Sequence, residues 1–190
     1  MDRLKSRLKD KSQPLAKELK NFIRGNASVK IGEVTAGQVF GGMRGVKSLI
    51  TETSQLDAME GIRFRGYSIP QLKKYLPKDD GCTEPLPEGI FYLMLTGELP
   101  SKDDVTWLSA EWAVRSGVPQ HVFDTLDALP TSVHPMTQFS TAILAMQSES
   151  IFAREYRKGV SKLAYWEAMY EDTMNLIARL PRVAAYIYRR

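Results

Sequence analysis

The sequence predicts a mainly α fold with a small β-hairpin or sheet region near its amino terminus, on three observations. Beyond about Pro70, apolar residues recur every three or four positions. Prolines stand where helices begin, at Pro70, Pro87, Pro119 and Pro135, and glycines where they stop, at Gly97, Gly117 and Gly159. Strand-period alternation is confined to the stretch before Pro70. With 190 residues, 43% hydrophobic and 25% charged, the chain can enclose a core and lacks the composition of a disordered one.

Three segments follow from the pattern. In residues 1–27, Leu4, Leu8, Leu15, Leu19, Phe22 and Ile23 fall near helical spacing among lysines and arginines, as in an amphipathic targeting segment. Such leaders avoid acids, and Asp2, Asp10 and Glu18 are present; Pro14 also divides the pattern. The expectation is a pair of short surface helices belonging to the mature protein. In residues 28–69, the runs 28–35, Leu49–Thr53 and Ile62–Tyr67 alternate with strand period between turn residues. Arg63 and Arg65 would then share one strand face, as scaffold ion-pair candidates.

Residues 70–190 read as helix. Pro70 opens a short helix carrying Leu72, Tyr75 and Leu76, and Pro77 stops it. From Pro87, Ile90, Phe91, Leu93, Met94 and Leu95 make an almost continuously apolar helix that ends at Gly97 and belongs in an interior. Ser101 and Asp104 form a capping box, with Val105, Leu108, Trp112 and Ala113 as the buried stripe up to Gly117. After Pro119, Val122, Phe123, Leu126 and Leu129 point inward. From Pro135 to about Gln147, Thr137, Ser140, Thr141, Ala142 and Ala145 offer a small-residue packing face. Beyond Gly159, Leu163, Trp166, Tyr170, Thr173, Ile177, Leu180, Ala184 and Tyr188 set a stripe through Pro181, where a kink is expected. The rhythm persists to Tyr188 with no cap before Arg190, so the chain reads as stopping inside a helix.

Charge and chemistry-bearing residues exclude several classes. The net charge of +4 is carried by residues 1–24, which hold eight bases and three acids, while the remainder is near neutral at −1. A nucleic-acid surface would concentrate its charge on the folded body, so an RNA-binding role through the basic first 24 residues is a minor alternative. No run of 18 or more apolar residues suggests a membrane span. Cys82 is the lone cysteine, in a polar loop, and reads as a bystander thiol. His121 and His134 sit at helix starts without Asp or Cys at ligand spacing, so both read as structural, with no metal site. Glu171 and Asp172 are adjacent on a helix and point apart, which rules out a shared proton.

Two glycine-punctuated arginine segments remain, Gly41-Gly42-Met43-Arg44-Gly45 and Glu60 to Pro70. Such segments set a guanidinium beside sharply turning backbone, which suits an anionic phosphate, although each alone also reads as an ordinary turn. They are followed in order by Glu84-Pro85-Leu86-Pro87-Glu88-Gly89, Leu95-Thr96-Gly97-Glu98-Leu99-Pro100, His134-Pro135-Met136-Thr137-Gln138-Phe139, Ser148-Glu149-Ser150, Tyr165-Trp166-Glu167, Glu171-Asp172 and Arg179-Leu180-Pro181. From about Val29 to Arg190 this order of words resembles the amino-terminal part of the citrate synthase family, mitochondrial type.

The resemblance implies part of that family's multi-helical large domain. It implies a role in condensing acetyl-CoA with oxaloacetate to citrate and coenzyme A, the first step of the tricarboxylic acid cycle, with no cofactor, since acetyl-CoA is a substrate. It matches Arg44 to an arginine that contacts coenzyme A phosphates, and Lys162 to a position where relatives place an arginine reaching the neighbouring subunit's coenzyme A. Lysine there keeps the charge and loses the planar fork. It sets the catalytic aspartate and histidines downstream of Arg190, so that none lies in this chain. It also implies a homodimer through helices near 135–148 and 163–190, where Tyr165, Trp166, Tyr170, Tyr186 and Tyr188 offer aromatic surface, with no nucleic acid or membrane partner. The expected location is the mitochondrial matrix, with the peroxisome or glyoxysome as alternative. The alternatives in function are a 2-methylcitrate synthase, which takes propionyl-CoA, and a non-catalytic helical dimerisation module.

Overall fold

The computed structural model describes residues 3–46, 51, 53–57 and 59–190, and the chain divides into two compact units, Met1–Val105 and Thr106–Arg190. The boundary falls inside a helix.

The first unit opens with α1 (Arg3–Asn26), one helix that runs through Pro14 rather than the expected pair. Proline forgoes its N–H bond to the carbonyl four residues back, and its ring pushes that carbonyl outward. Both Pro14 and Asp10 are exposed, so water can take that carbonyl. Leu4 is the one fully buried side chain of α1, and it docks the helix on α4 (Pro87–Thr96). Beside it the Arg7 guanidinium stacks over the Tyr92 ring at 5.6 Å and donates to its hydroxyl, with Asp104 at 3.8 Å. Beyond Ser12 nearly every residue of α1 is exposed.

Residues 28–35 form no strand. Val29 and Ile31 are 58% and 79% exposed, and alternation without a neighbouring edge to pair with has nothing to hold it extended. Thr35 instead caps α2 (Ala36–Phe40), its Oγ1 accepting from Gln38 N–H at 3.2 Å while Gln38 Oε1 accepts from Thr35 N–H at 3.0 Å. The strand expected at Leu49–Thr53 falls largely on residues 49, 50 and 52, outside the described residues.

The observed sheet is an antiparallel meander of β1 (Ser54–Asp57), β2 (Gly61–Phe64) and β3 (Tyr67–Ser68), pairing Ser54 with Phe64 and Phe64 with Tyr67. The run Ile62–Tyr67 is therefore a hairpin, not one strand. Its two corner residues, Arg65 and Gly66, take φ of 48° and 86°, the double left-handed turn that matches strand twist. Arg63 and Arg65 consequently do not share a strand face. Arg63 pairs with Glu60 at 2.9 Å, whereas Arg65 reaches the Met94 carbonyl near the end of α4 at 2.6 and 3.0 Å. A cation at a helix carboxyl end satisfies an orphan carbonyl and the dipole, which offsets the strain of a non-glycine left-handed residue.

Helix α3 (Ile69–Tyr75) carries Pro70 in its first turn, and Leu72 and Leu76 meet Leu93 of α4 in a small core bordered by Phe64, Tyr67 and Ile90. Gly97 ends α4 at φ 74°, its N–H bonded to Leu93 at 2.7 Å. The Ser101–Asp104 capping box forms, with Oγ to Oδ2 at 2.7 Å and Asp104 N–H to Ser101 Oγ at 3.1 Å, and starts α5 (Lys102–Arg115). On α5, Val105 and Leu108 are buried and Trp112 is half-buried, but Ala113 is exposed and lies off the expected stripe.

The second unit packs α6 (Gln120–Asp127), α7 (Pro135–Ala145), a 3-10 turn over Met146–Glu149, α8 (Ile151–Arg157), a 3-10 turn over Lys162–Ala164, and α9 (Tyr165–Arg189). Val122, Leu126, Ala142, Met146 and Val183 form its core, with Phe139, Ile143, Leu176 and Ile187 around them. Of the small-residue face on α7, Ala142 is inside and Thr137 and Ser140 are exposed.

Helix α9 runs unbroken through Pro181, and its buried stripe is Ala168, Tyr170, Met174, Ala178 and Val183. That corrects the expected stripe: Thr173 and Ala184 are exposed, and Leu163 and Tyr188 are 87% and 89% exposed. Apolar residues occupy more than one side of this helix, and the row that packs includes two alanines that let neighbours approach.

Leu126→Ala is expected to lower stability by about 2–5 kcal/mol and Gly97→Ala by about 1 kcal/mol, the costs of a core cavity and of a side chain at positive φ, both measured by urea unfolding. Burial alone would raise the Asp104 carboxyl, but the Ser101 hydroxyl and N–H, with Arg7 and Arg3, outweigh it and hold it below its ordinary 3.8. A depressed folded value stabilises above the unfolded pKa, and the contribution is lost as pH falls through the folded value. Asp104→Asn is expected to flatten the decline in urea midpoint that the parent chain shows as the pH falls below the ordinary 3.8 of the carboxyl.

Candidate functional site

Arg44 is placed by two stacked turns after α2. Gly42, at φ 77°, donates to Val39 at 3.2 Å, and Met43, at φ 63°, donates to Gln38 at 2.7 Å. This is the glycine-ended closure in which the two residues after a helix fold back on its last carbonyls. The N–H groups of Gly42 and Met43 are thereby spent on the helix rather than offered to an anion. Val46 N–H then bonds to the Met43 carbonyl at 3.2 Å, closing a turn whose third residue, Gly45, takes φ 75°. Arg44 is the second residue of that turn, exposed at its corner, and makes no hydrogen bond or ion pair with the described residues. What remains for a phosphate there is a cation on a fixed corner.

Lys162 belongs to the second unit and Arg44 to the first. It begins the 3-10 turn Lys162–Ala164, whose cap is Ser161, the Oγ accepting from Leu163 N–H at 3.3 Å. Its side chain is exposed and also unpaired with the described residues. Among neighbouring cations, Arg154 and Lys158 share Glu155 at 3.4 and 2.9 Å. The hydrogen bond from Lys158 holds the Glu155 carboxyl below its usual range against the opposing effect of burial, helped by the Lys158 charge and by the hydrogen bond and charge of Arg154.

The groups read as structural take structural places. His134 caps α7, its Nδ1 accepting from Met136 N–H at 3.1 Å, and His121 Nε2 lies 3.1 Å from the Ala145 carbonyl. Cys82 is exposed. Among the described residues no three His, Cys, Asp or Glu side chains could hold a metal ion, and no helix is long and apolar enough to cross a membrane. Glu171 turns to Arg115 at 2.8 Å and Asp172 to the start of α8. A cavity of about 180 Å³ in the second unit is lined by Ile143, Met146, Asp172, Asn175, Leu176 and Arg179. Sequence reasoning missed two contacts, Arg65 on α4 and Asp172 on α8, because both join residues far apart in the chain. The capping residue Ser150 before α8 was the available signal for the second.

Comparison with known proteins supplies the family. The chain is 56% identical over 171 residues to the mitochondrial citrate synthase of Kajikia audax, covering 90% of this chain and 36% of that protein. It is equally similar to that of Xiphias gladius, and 58% identical over 170 residues to a probable mitochondrial citrate synthase of Glossina morsitans morsitans. The chain thus spans 36–37% of the length of these relatives. The crystal structure of citrate synthase from Pyrobaculum aerophilum matches with a TM-score of 0.62 at 23% identity, over 78% of this chain and 35% of that one, a likeness of fold. Residues 42–190 match the family model described as the citrate synthase C-terminal domain, so that both ordered motifs and helical architecture lead to one statement: the chain belongs to the citrate synthase family.

Proposed function

We propose that the chain is the amino-terminal part of a mitochondrial-type citrate synthase, serving the condensation of acetyl-CoA with oxaloacetate to citrate and coenzyme A in the mitochondrial matrix. The observation that carries this reading is 56–58% identity across 90% of the chain to proteins of that name. The reaction needs a base to take a proton from the thioester methyl and donors to hold the enol. The two histidines here are engaged with backbone, at Met136 and Ala145, while Asp104 holds a helix cap and Glu171 an arginine. The proton-moving groups therefore belong to the remainder of the family's length, and acid–base chemistry requires no resident cofactor.

This part contributes contacts to substrate and subunit. Arg44 and Lys162 meet coenzyme A phosphates, each as an exposed cation on a turn with no partner among the described residues to compete. The homodimer forms through α7 and α9. Exposed Met136 and Leu144 on α7, and Met169 and Tyr188 on α9, support that reading, because so much apolar surface favours a cover.

In the complete enzyme Arg44→Ala is expected to raise KM for acetyl-CoA about tenfold, the loss of one charge-assisted contact, with KM for oxaloacetate unchanged. Equal loss toward both substrates in steady-state assays would defeat the phosphate-contact role. The isolated 190-residue chain is expected to release no thiol from acetyl-CoA in the presence of oxaloacetate, followed with a thiol reagent; turnover would place the catalytic groups within it.

A further inference from the structure

The segment that carries Lys162 is held by a carboxylate from outside it. Asp172, on α9, accepts hydrogen bonds from the N–H groups of Ile151 at 2.7 Å and Phe152 at 3.0 Å, and from the Ser150 hydroxyl at 2.7 Å. Ser150 Oγ in turn accepts from Ala153 N–H at 3.0 Å. The first N–H groups of a helix have no partner within it and carry the positive end of its dipole, so one carboxylate answers three donors and that charge. The adjacent Glu171 does separate work on Arg115, at 2.8 Å.

From this anchored end the contacts continue to Tyr165, at the end of the Lys162 turn. The rings of Phe152 and Tyr156 on α8 meet each other at 5.9 Å and meet Tyr165 at 5.2 and 6.0 Å, a closed triangle. Tyr165 is three residues after Lys162, across the 3-10 turn. The far end of α8 is fixed as well: Gly159, at φ 77°, donates to Tyr156 at 3.0 Å, and Val160 to Glu155 at 3.2 Å. This reverses the chain directly into the Lys162 turn.

We infer that Asp172 is a positioning residue for Lys162: it fixes α8, and α8 fixes the turn through the aromatic triangle. This inference rests on the reading that Lys162 meets a coenzyme A phosphate. Positioning matters more for a lysine than it would for an arginine at the same place. An ammonium on a flexible stem has no fork to align itself, so its contact depends on where the backbone sets it.

A double-mutant cycle in the citrate synthase that contains this chain tests it, with steady-state kinetics on Lys162→Ala, Asp172→Asn and the pair. Each single variant is expected to raise KM for acetyl-CoA roughly 3- to 10-fold, the range for loosening a charged contact, with kcat and KM for oxaloacetate unchanged. The double variant is expected to match Lys162→Ala alone. If Asp172→Asn lowers only the melting temperature, or adds in full to Lys162→Ala, the positioning role is overturned while the phosphate reading stands. If Lys162→Ala leaves the acetyl-CoA KM unchanged, the reading and the inference fall together. Should Asp172→Asn not fold, Ser150→Ala, which removes one of the three donors, takes its place in the same cycle with a smaller expected shift.

Discussion

The buried row on α9, Ala168, Tyr170, Met174, Ala178 and Val183, is the constraint on which the second unit depends. Each residue along a helix turns the side chain by about 100°, so once this row faces inward every other position on α9 is assigned. Glu171 then meets Arg115, Asp172 meets the start of α8, and Tyr186 donates to Asp127 at 2.8 Å. Arg190 closes the far end on Gln138 and the Leu129 carbonyl, at 2.9 and 2.8 Å. A slip of one residue would bury the wrong row and break these polar contacts together, so they lock the register that the apolar row selects.

In the first unit the equivalent lock is smaller. Leu4 enters the interior, and the Arg7 guanidinium covers Tyr92 while facing Asp104. Hydrogen bonding to arginine and its charge act against the burial and the Asp104 and Glu98 charges that raise the Tyr92 hydroxyl, leaving it above its ordinary value. That phenol stays neutral and available to accept from Arg7. Among the described residues the ion pairs of α1 with Glu98 and Asp104 come from Arg7 and Lys11, in its first three turns.

Much of the fold was legible because helix ends are written locally. Proline at a first turn, the Ser101–Asp104 box and Gly97 at a left-handed position each state their geometry within a few residues, and each is found in place. The misreadings share one cause, since alternation and periodicity describe a segment while pairing and burial need a second one. Residues 28–35 alternate without an edge to join, and α9 has apolar residues on more sides than its neighbours cover. Arg65-Gly66 looked like strand because a two-residue turn barely interrupts a period of two. The family was legible from the order of its words. Of the candidate cations, Arg44 was legible as a turn and Lys162 through the resemblance alone, because an exposed cation leaves no mark on the residues around it.

The glycine-closed ends at Gly42 and Gly159 give those two cations a common origin. Arg44 emerges just past a left-handed corner, so its direction is dictated by a short stretch of backbone, whereas Lys162 follows such a corner and depends as well on how Asp172 seats α8. Drift in the cores can proceed without re-aiming Arg44, whereas one β-branched replacement at Gly42 would turn its charge aside and leave the buried packing intact.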